Sequence, residues 1–178
     1  SVKLPYLYYQ NNVVGTLNLI HEMLSNGVTN LVFSSSAAIF GNPLTNKISE
    51  DHRRNPINPY GQSKLIVEKI LYDICFANDF NATCLRYFNA AGAHESGQIG
   101  EAHEPETHLI PNILKAALSN EINLKVFGDD YSSPDGTCIR DYVHVIDLCQ
   151  AHLLSLKYMQ NNKGFSAFNL GNGDGFSV

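Results

Sequence analysis

The 178-residue sequence has no uninterrupted apolar run of the roughly 18 residues a membrane-spanning helix needs, and no leader pattern at its start. It also has no cluster of Lys and Arg. Twelve basic against 17 acidic residues leave a net charge of −5 and a pI near 5.7, which does not suit a nucleic acid or an anionic membrane as partner. The four cysteines, Cys75, Cys84, Cys138 and Cys149, show no C-x-x-C spacing. Each lies in an apolar run, as expected of buried free thiols in a reducing cytoplasm. Internal repeats, heptads and low-complexity tracts are absent as well. So is a G-x-G-x-x-G or G-x-x-G-x-x-G loop following a strand, the usual cradle for a dinucleotide pyrophosphate. The chain begins at Ser1, and Asn169–Val178 reads as a strand running into an unfinished turn, so the expectation is a piece of a longer protein.

A hydrophobic content of 44% with 16% charged residues is ordinary for a globular domain with a real core. The pattern centres on Asn58-Pro59-Tyr60-Gly61-Gln62-Ser63-Lys64, which leads into an apolar-periodic segment. Asn58 is a favoured N-cap and Pro59 a favoured first helical residue, so Tyr60 and Lys64 are placed on one face of a first helical turn. There the ammonium and the positive helix terminus both favour a phenolate, drawing a tyrosine towards use as a base. Upstream, Leu31-Val32-Phe33 reads as a strand entering Ser34-Ser35-Ser36. In a doubly wound sheet ligands sit beyond the carboxyl ends of the strands, which brings these hydroxyls to the same side as Tyr60.

The remaining elements alternate. Val13, Leu17, Ile20 and Leu24 recur at helical spacing and Asn26-Gly27 supplies a stop, predicting a helix over 9–26. Residues 30–36 are predicted as a strand buried on both faces, 42–57 as a polar loop with Arg53 and Arg54 solvated, and 59–78 as a long helix. Strand 82–88 ends at Asn89. Residues 90–108 read as a long loop holding His94, Glu95, Glu101, His103, Glu104, Glu106 and His108. Imidazoles and carboxylates suit zinc, but no H-E-x-x-H or comparable spacing falls on a regular element, so no metal is expected. A helix from His108 to about Ser119, a short strand Leu124–Phe127, a helix begun by Asp147 and running to about Gln160, and a strand 167–170 complete the order. The composition shifts near residue 90, dividing the chain into 1–89 and 90–178, with some later elements returning to the main sheet.

Several blocks occur in one order: Tyr8–Thr16, Ser34–Gly41 with Tyr60 and Lys64, Arg86–Gly92, Glu106–Pro111, Phe127–Tyr131 and Asp135–Val145. Together, over essentially the whole chain, they resemble the extended short-chain dehydrogenase/reductases, and most of all their nucleotide-sugar epimerase branch. The resemblance implies an α/β fold, a partial Rossmann-like doubly wound parallel sheet with part of a smaller substrate-binding region. It implies reversible inversion at C4 of a UDP-hexose, UDP-galactose to UDP-glucose, through a 4-keto sugar, with NAD held tightly. Ser36, Tyr60 and Lys64 match the family's catalytic positions. Asn11, Ser34, Tyr60, Lys64 and Tyr87 match cofactor positions. Ser36, Tyr60, Asn89, His108, Leu109, Lys125, Phe127 and Arg140 match positions on the nucleotide sugar.

Each match has a plainer counterpart: a polar first-turn residue for Asn11, a strand-end turn for Asn89, a pair with Asp141 or Asp147 for Arg140. A guanidinium fork nevertheless fits a diphosphate, which favours phosphate for Arg140. The family also implies a homodimer built on the helices at 9–26 and 58–78. Within the matched blocks this sequence departs from the pattern at two hydroxyls, where Ala38 stands for threonine and Phe40 for tyrosine, and the N-terminal part with the dinucleotide loop and a C-terminal segment are missing from it. Siblings remain as alternatives. Ala37-Ala38 stand where dehydratases carry an acid and a base and where decarboxylases commonly have an acidic residue, which counts against both. The other alternative is an inactive nucleotide-sugar-binding piece, since without the dinucleotide loop the 178 residues alone are expected neither to retain NAD nor to turn over.

Overall fold

The computed structural model describes residues 1–119 and 124–178. In chain order the elements are α1 (Pro5–Tyr8), a π-helical segment (Tyr9–Val14), α2 (Gly15–Ser25), β1 (Asn30–Ser36), a 3₁₀ turn (Ala37–Phe40), α3 (Pro59–Ala77), β2 (Asn81–Tyr87), β3 (Asn89–Ala91), α4 (Leu109–Ser119), β4 (Ile139–Arg140), β5 (Tyr142–His144), α5 (Val145–Asn161), β6 (Phe165–Leu170) and β7 (Phe176–Ser177). They form two compact units, one of Ser1–Phe88 with Cys149–Leu170, the other of Asn89–Leu148 with Gly171–Val178. None of the described helices is long and apolar enough to cross a membrane.

The first unit is a three-stranded parallel sheet in the order β1-β2-β6, flanked by helices, which is the Rossmann-like arrangement in part. β2 lies in the centre and is buried along its length up to Tyr87. β1 differs from expectation. Only Ser35 and Ser36 are fully buried in it, because among the described residues it has no strand on its outer side. A concavity of about 500 Å³ opens there, lined by Val32, Cys149, His152, Leu153 and Leu156. Its openness leaves Cys149 exposed, although its apolar run had predicted burial; Cys84 is buried, and Cys75 and Cys138 are half-buried.

Helix α3 starts as its sequence dictates. The Asn58 side chain accepts from the Gly61 amide at 2.8 Å, and Pro59 occupies the first turn, where its missing N–H costs nothing. The helix predicted over 9–26 is instead two pieces, the π-helical turns of Tyr9–Val14 followed by α2, and α1 already precedes them from Pro5. The widened segment lets Asn12 donate to Ser63 Oγ at 2.8 Å, tying it to α3. Its end is as expected: Gly27 takes φ 69° while the Val28 amide reaches Met23 O and the Gly27 amide Leu24 O. Ile20 of α2 and Val67 and Leu71 of α3 then pack with Phe80, Ala82 and Cys84 as the main core.

Set into this apolar layer is a charge pair. Arg86 and Glu68 are 2% and 1% exposed and meet at 2.7 Å. Arg86 Nε reaches Glu68 Oε1 at 3.0 Å, its Nη1 donates to Glu50 O at 3.1 Å, and Ser35 Oγ donates to Glu68 Oε1 at 2.6 Å. The network joins α3 to both β1 and β2. Two ions removed from water are tolerated only when paired and hydrogen-bonded in this way.

In the second unit β3 pairs parallel with β5, and β4 antiparallel with β7. The Asp141 carboxylate accepts from the Asn172 and Gly173 amides at 2.9 and 3.0 Å. The loop predicted over 90–108 begins two residues later, because Ala90 and Ala91 pair with β5 as part of β3; residues 92–108 contain no regular element. The strand expected at Leu124–Phe127 does not form. These four residues are exposed, Phe127 at 81%, and among the described residues no strand pairs with them.

Removing one member of the buried pair strands the other. Glu68→Ala is expected to lower stability by about 3–5 kcal/mol in urea unfolding, whereas the double variant Glu68→Met/Arg86→Leu recovers most of that loss. A single variant as stable as the parent would show that water reaches the pair.

Candidate active site

Ser36 ends β1 and at the same time caps the 3₁₀ turn that follows, its Oγ accepting from the Ala38 amide at 3.2 Å. Its register partner in β2 is Tyr87, so the two side by side mark the carboxyl end of the parallel pair. Tyr60 is brought to this edge by a close approach of α3 to the turn. A Cβ on Gly61 would stand 2.4 Å from Ala38 O and 3.1 Å from Pro56 Cβ, so only glycine lets the helix come this near. Asn58 fixes the same glycine from the other side through its amide.

The Tyr60 phenol is half-buried and lies beside the Ser36 side chain. The Tyr8 ring meets it edge-on, centroids 6.2 Å apart and planes at 82°. Burial raises the phenol above its usual value, the Ser36 hydrogen bond opposes this, and the Tyr87 and Tyr8 phenols add to the rise. Burial therefore outweighs the phenolate-favouring direction drawn from the Tyr60–Lys64 spacing. Lys64 Nζ lies 5.7 Å from the Tyr60 ring centroid and 4.8 Å from that of Phe33, and it donates to Ser34 O at 2.8 Å. Burial pulls the ammonium itself below its ordinary value, a second sign that desolvation outweighs the pairwise charges here.

Among the other expected cofactor residues, Ser34 is adjacent: its carbonyl holds Lys64 and its hydroxyl meets His152 Nε2 at 3.1 Å. Asn11 is exposed within the π-helical segment, while its neighbour Asn12 makes the tie to Ser63. The sequence reading passed over Asn12, Ser63, Ser35 and Glu68. Glu68 carried a usable signal, an acidic residue one turn beyond Lys64 on a helix whose neighbouring positions, Val67 and Leu71, are core.

The expected nucleotide-side residues all lie in the second unit. Asn89 donates through Nδ2 to Asp141 O at 2.8 Å, leaving its Oδ1 as an acceptor. Arg140 is exposed, with Nη1 on Ile139 O at 2.9 Å, and among the described residues no carboxylate pairs with it. Asp141, the rival partner, is occupied by backbone amides. His108 is exposed and Leu109, which opens α4, is half-buried. Lys125 and Phe127 are exposed on irregular backbone.

A family profile described as the NAD dependent epimerase/dehydratase family matches residues 1–171. The UDP-glucose 4-epimerase of Halalkalibacterium halodurans is 49% identical over the whole chain, which covers 53% of that protein. Among solved structures, the UDP-glucose 4-epimerase from Brucella ovis in complex with NAD superposes with a TM-score of 0.95 at 48% identity over 99% of this chain and 55% of that one. The enzyme from Bifidobacterium longum in complex with NAD⁺ and UDP gives 0.93 at 41% identity, over 99% of this chain and 53% of that one. The chain thus spans about half the length of the curated relatives it matches.

The order of effects on Tyr60 is open to measurement. With ¹³Cζ-labelled tyrosine, assigned by Tyr60→Phe, the Tyr60 signal is expected to titrate above the ordinary tyrosine range, and in Ser36→Ala higher still, since the lost hydrogen bond was lowering it. A Tyr60 signal titrating below that range would reverse the balance between burial and charge.

Proposed function

The chain belongs to the NAD dependent epimerase/dehydratase family, and we propose that the protein containing it interconverts UDP-galactose and UDP-glucose by oxidation and re-reduction at C4. The observation that carries this reading is the half-buried Tyr60 phenol beside Ser36 at the end of β1, with Lys64 one turn further along the same helix. The similarity to 4-epimerases at about half identity supports it, and so does the likeness to the Bifidobacterium longum enzyme in complex with NAD⁺ and UDP.

The residues present fit the nicotinamide-ribose end of NAD. Lys64 uses one ammonium N–H on Ser34 O, which leaves two donors for a ribose diol. Asn11, Ser34 and Tyr87 complete that side. When bound, NAD would supply the hydride-transfer chemistry at C4. Tyr60 removes the proton of the 4-hydroxyl and later gives it back, and Ser36 shares the hydrogen bond to that hydroxyl. Lys64 is the cation this chain provides to offset the burial of the phenol. Arg140 grips the diphosphate with its fork of donors and Asn89 binds beside it. His108, Leu109, Lys125 and Phe127 hold the uridine. Gripping the nucleotide while leaving the hexose unheld allows the keto sugar to turn over.

The same reading makes the full-length protein a cytoplasmic homodimer. Leu17 and Leu19 on α2 and Tyr72 and Phe76 on α3 are exposed, Phe76 at 89%, and supply an apolar face for a second copy.

An NMR assay of the full-length polypeptide with UDP-galactose is expected to show UDP-glucose forming, and Tyr60→Phe to slow it by about 10²–10⁴-fold with the fold intact. Release of CO2 from UDP-glucuronate instead would assign a decarboxylase. No reaction with either sugar would leave a binding protein.

A further inference from the structure

In the second unit, outside the Ser36–Tyr60–Lys64 constellation, the irregular segment before α4 folds four metal-ligating side chains onto one point. One donor atom each from Glu101, His103, Glu106 and His108 lies within 4.8 Å of every other. His103 Nδ1 is 3.0 Å and His108 Nδ1 2.5 Å from Glu101 Oε1, and His108 Nδ1 is 2.9 Å from Glu106 Oε1. The two imidazole rings are 5.0 Å apart. Glu106 Oε1 is fixed in place by the Thr107 and His108 amides, each at 2.8 Å.

Hydrogen bonding alone leaves this cluster one proton short. Three imidazole–carboxylate contacts involve only two Nδ1 atoms, and each Nδ1 carries at most one proton. His108 Nδ1 faces two carboxylate oxygens and can donate to one of them. A cation at the centre meets all four lone pairs at once. Around a tetrahedral zinc with bonds of about 2.1 Å the donors stand about 3.4 Å apart, a spacing between the 2.5–3.0 Å of the three imidazole–carboxylate contacts and the 4.8 Å that bounds the whole set, so the close pairs open and the wide ones close. The donor set also chooses the metal, because two imidazoles disfavour magnesium and calcium and two carboxylates without thiolate disfavour a cluster or Cu(I).

We propose that Glu101, His103, Glu106 and His108 form a binding site for a divalent transition metal, zinc by its donor set, which pins the loop to the start of α4. The absence of regular ligand spacing, the ground for expecting no metal, does not decide the matter, because loop geometry rather than helical or strand periodicity gathers these donors. His103 and His108 are 61% and 56% exposed, so the metal can enter from solvent.

The test is direct. After chelator dialysis the protein is titrated with ZnCl2 against a chromophoric chelator, bound zinc is counted by mass spectrometry, and a parallel sample is loaded with CoCl2. One tight equivalent is expected. Losing even an outer-shell partner of a metal ligand costs about 10- to 100-fold in affinity, so His103→Ala and Glu101→Gln, both surface changes, are expected to weaken it by at least that much with unchanged circular dichroism. The cobalt form should show visible ligand-field bands without thiolate charge transfer. Equal affinity in the parent and both variants, no tight equivalent, or a thiolate band from Cys138 or another cysteine would each overturn the proposal.

Discussion

The Glu68–Arg86 pair is the interaction on which the geometry of the first unit depends. A helix packed on a sheet by apolar contacts alone can slide by fractions of a turn at small cost, since methyl groups are interchangeable neighbours. A buried carboxylate shared between a guanidinium on β2 and a hydroxyl on β1 has one satisfactory position. Lys64 lies one turn before Glu68 and Tyr60 one turn before that, so fixing Glu68 fixes both. Arg86 immediately precedes Tyr87, and Ser35 immediately precedes Ser36, so the same anchor sets the strand ends as well.

At the start of α3 the constraint is steric. Gly61 lets the helix terminus lie against the Ala38 carbonyl, and the Asn58 cap holds that amide. Anchor and close approach act on one rigid element at its middle and at its first turn, with Tyr60 and Lys64 on the stretch they hold. The cost is visible in the electrostatics. The packing that holds Tyr60 also desolvates it, so its phenol is raised where a base needs it lowered.

Periodicity and capping residues made much of this legible. The start of α3 follows from Asn58-Pro59, the end of α2 from Asn26-Gly27, and β1 from a short apolar run, because each is governed by neighbours in the chain. What stayed hidden depends on partners far away in sequence. The π-helical turns at Tyr9–Val14, the buried charge of Glu68 and the exposure of Cys149 all reflect what does or does not pack against them. Leu124–Phe127 has the composition of a strand and, among the described residues, no partner strand to make it one. The expected roles of Ser36, Tyr60 and Lys64 came from the order of motifs, whereas the reversed shift of Tyr60 required the burial that only the folded chain displays.

The open side of β1 carries one more implication. Cys149 sits at its rim among Leu153, Leu156 and Val32, accessible because nothing described lies over it. Its thiol therefore reports on that surface: alkylation proceeds at the rate of a free cysteine while the face is bare and slows as soon as polypeptide covers it, without any label being introduced.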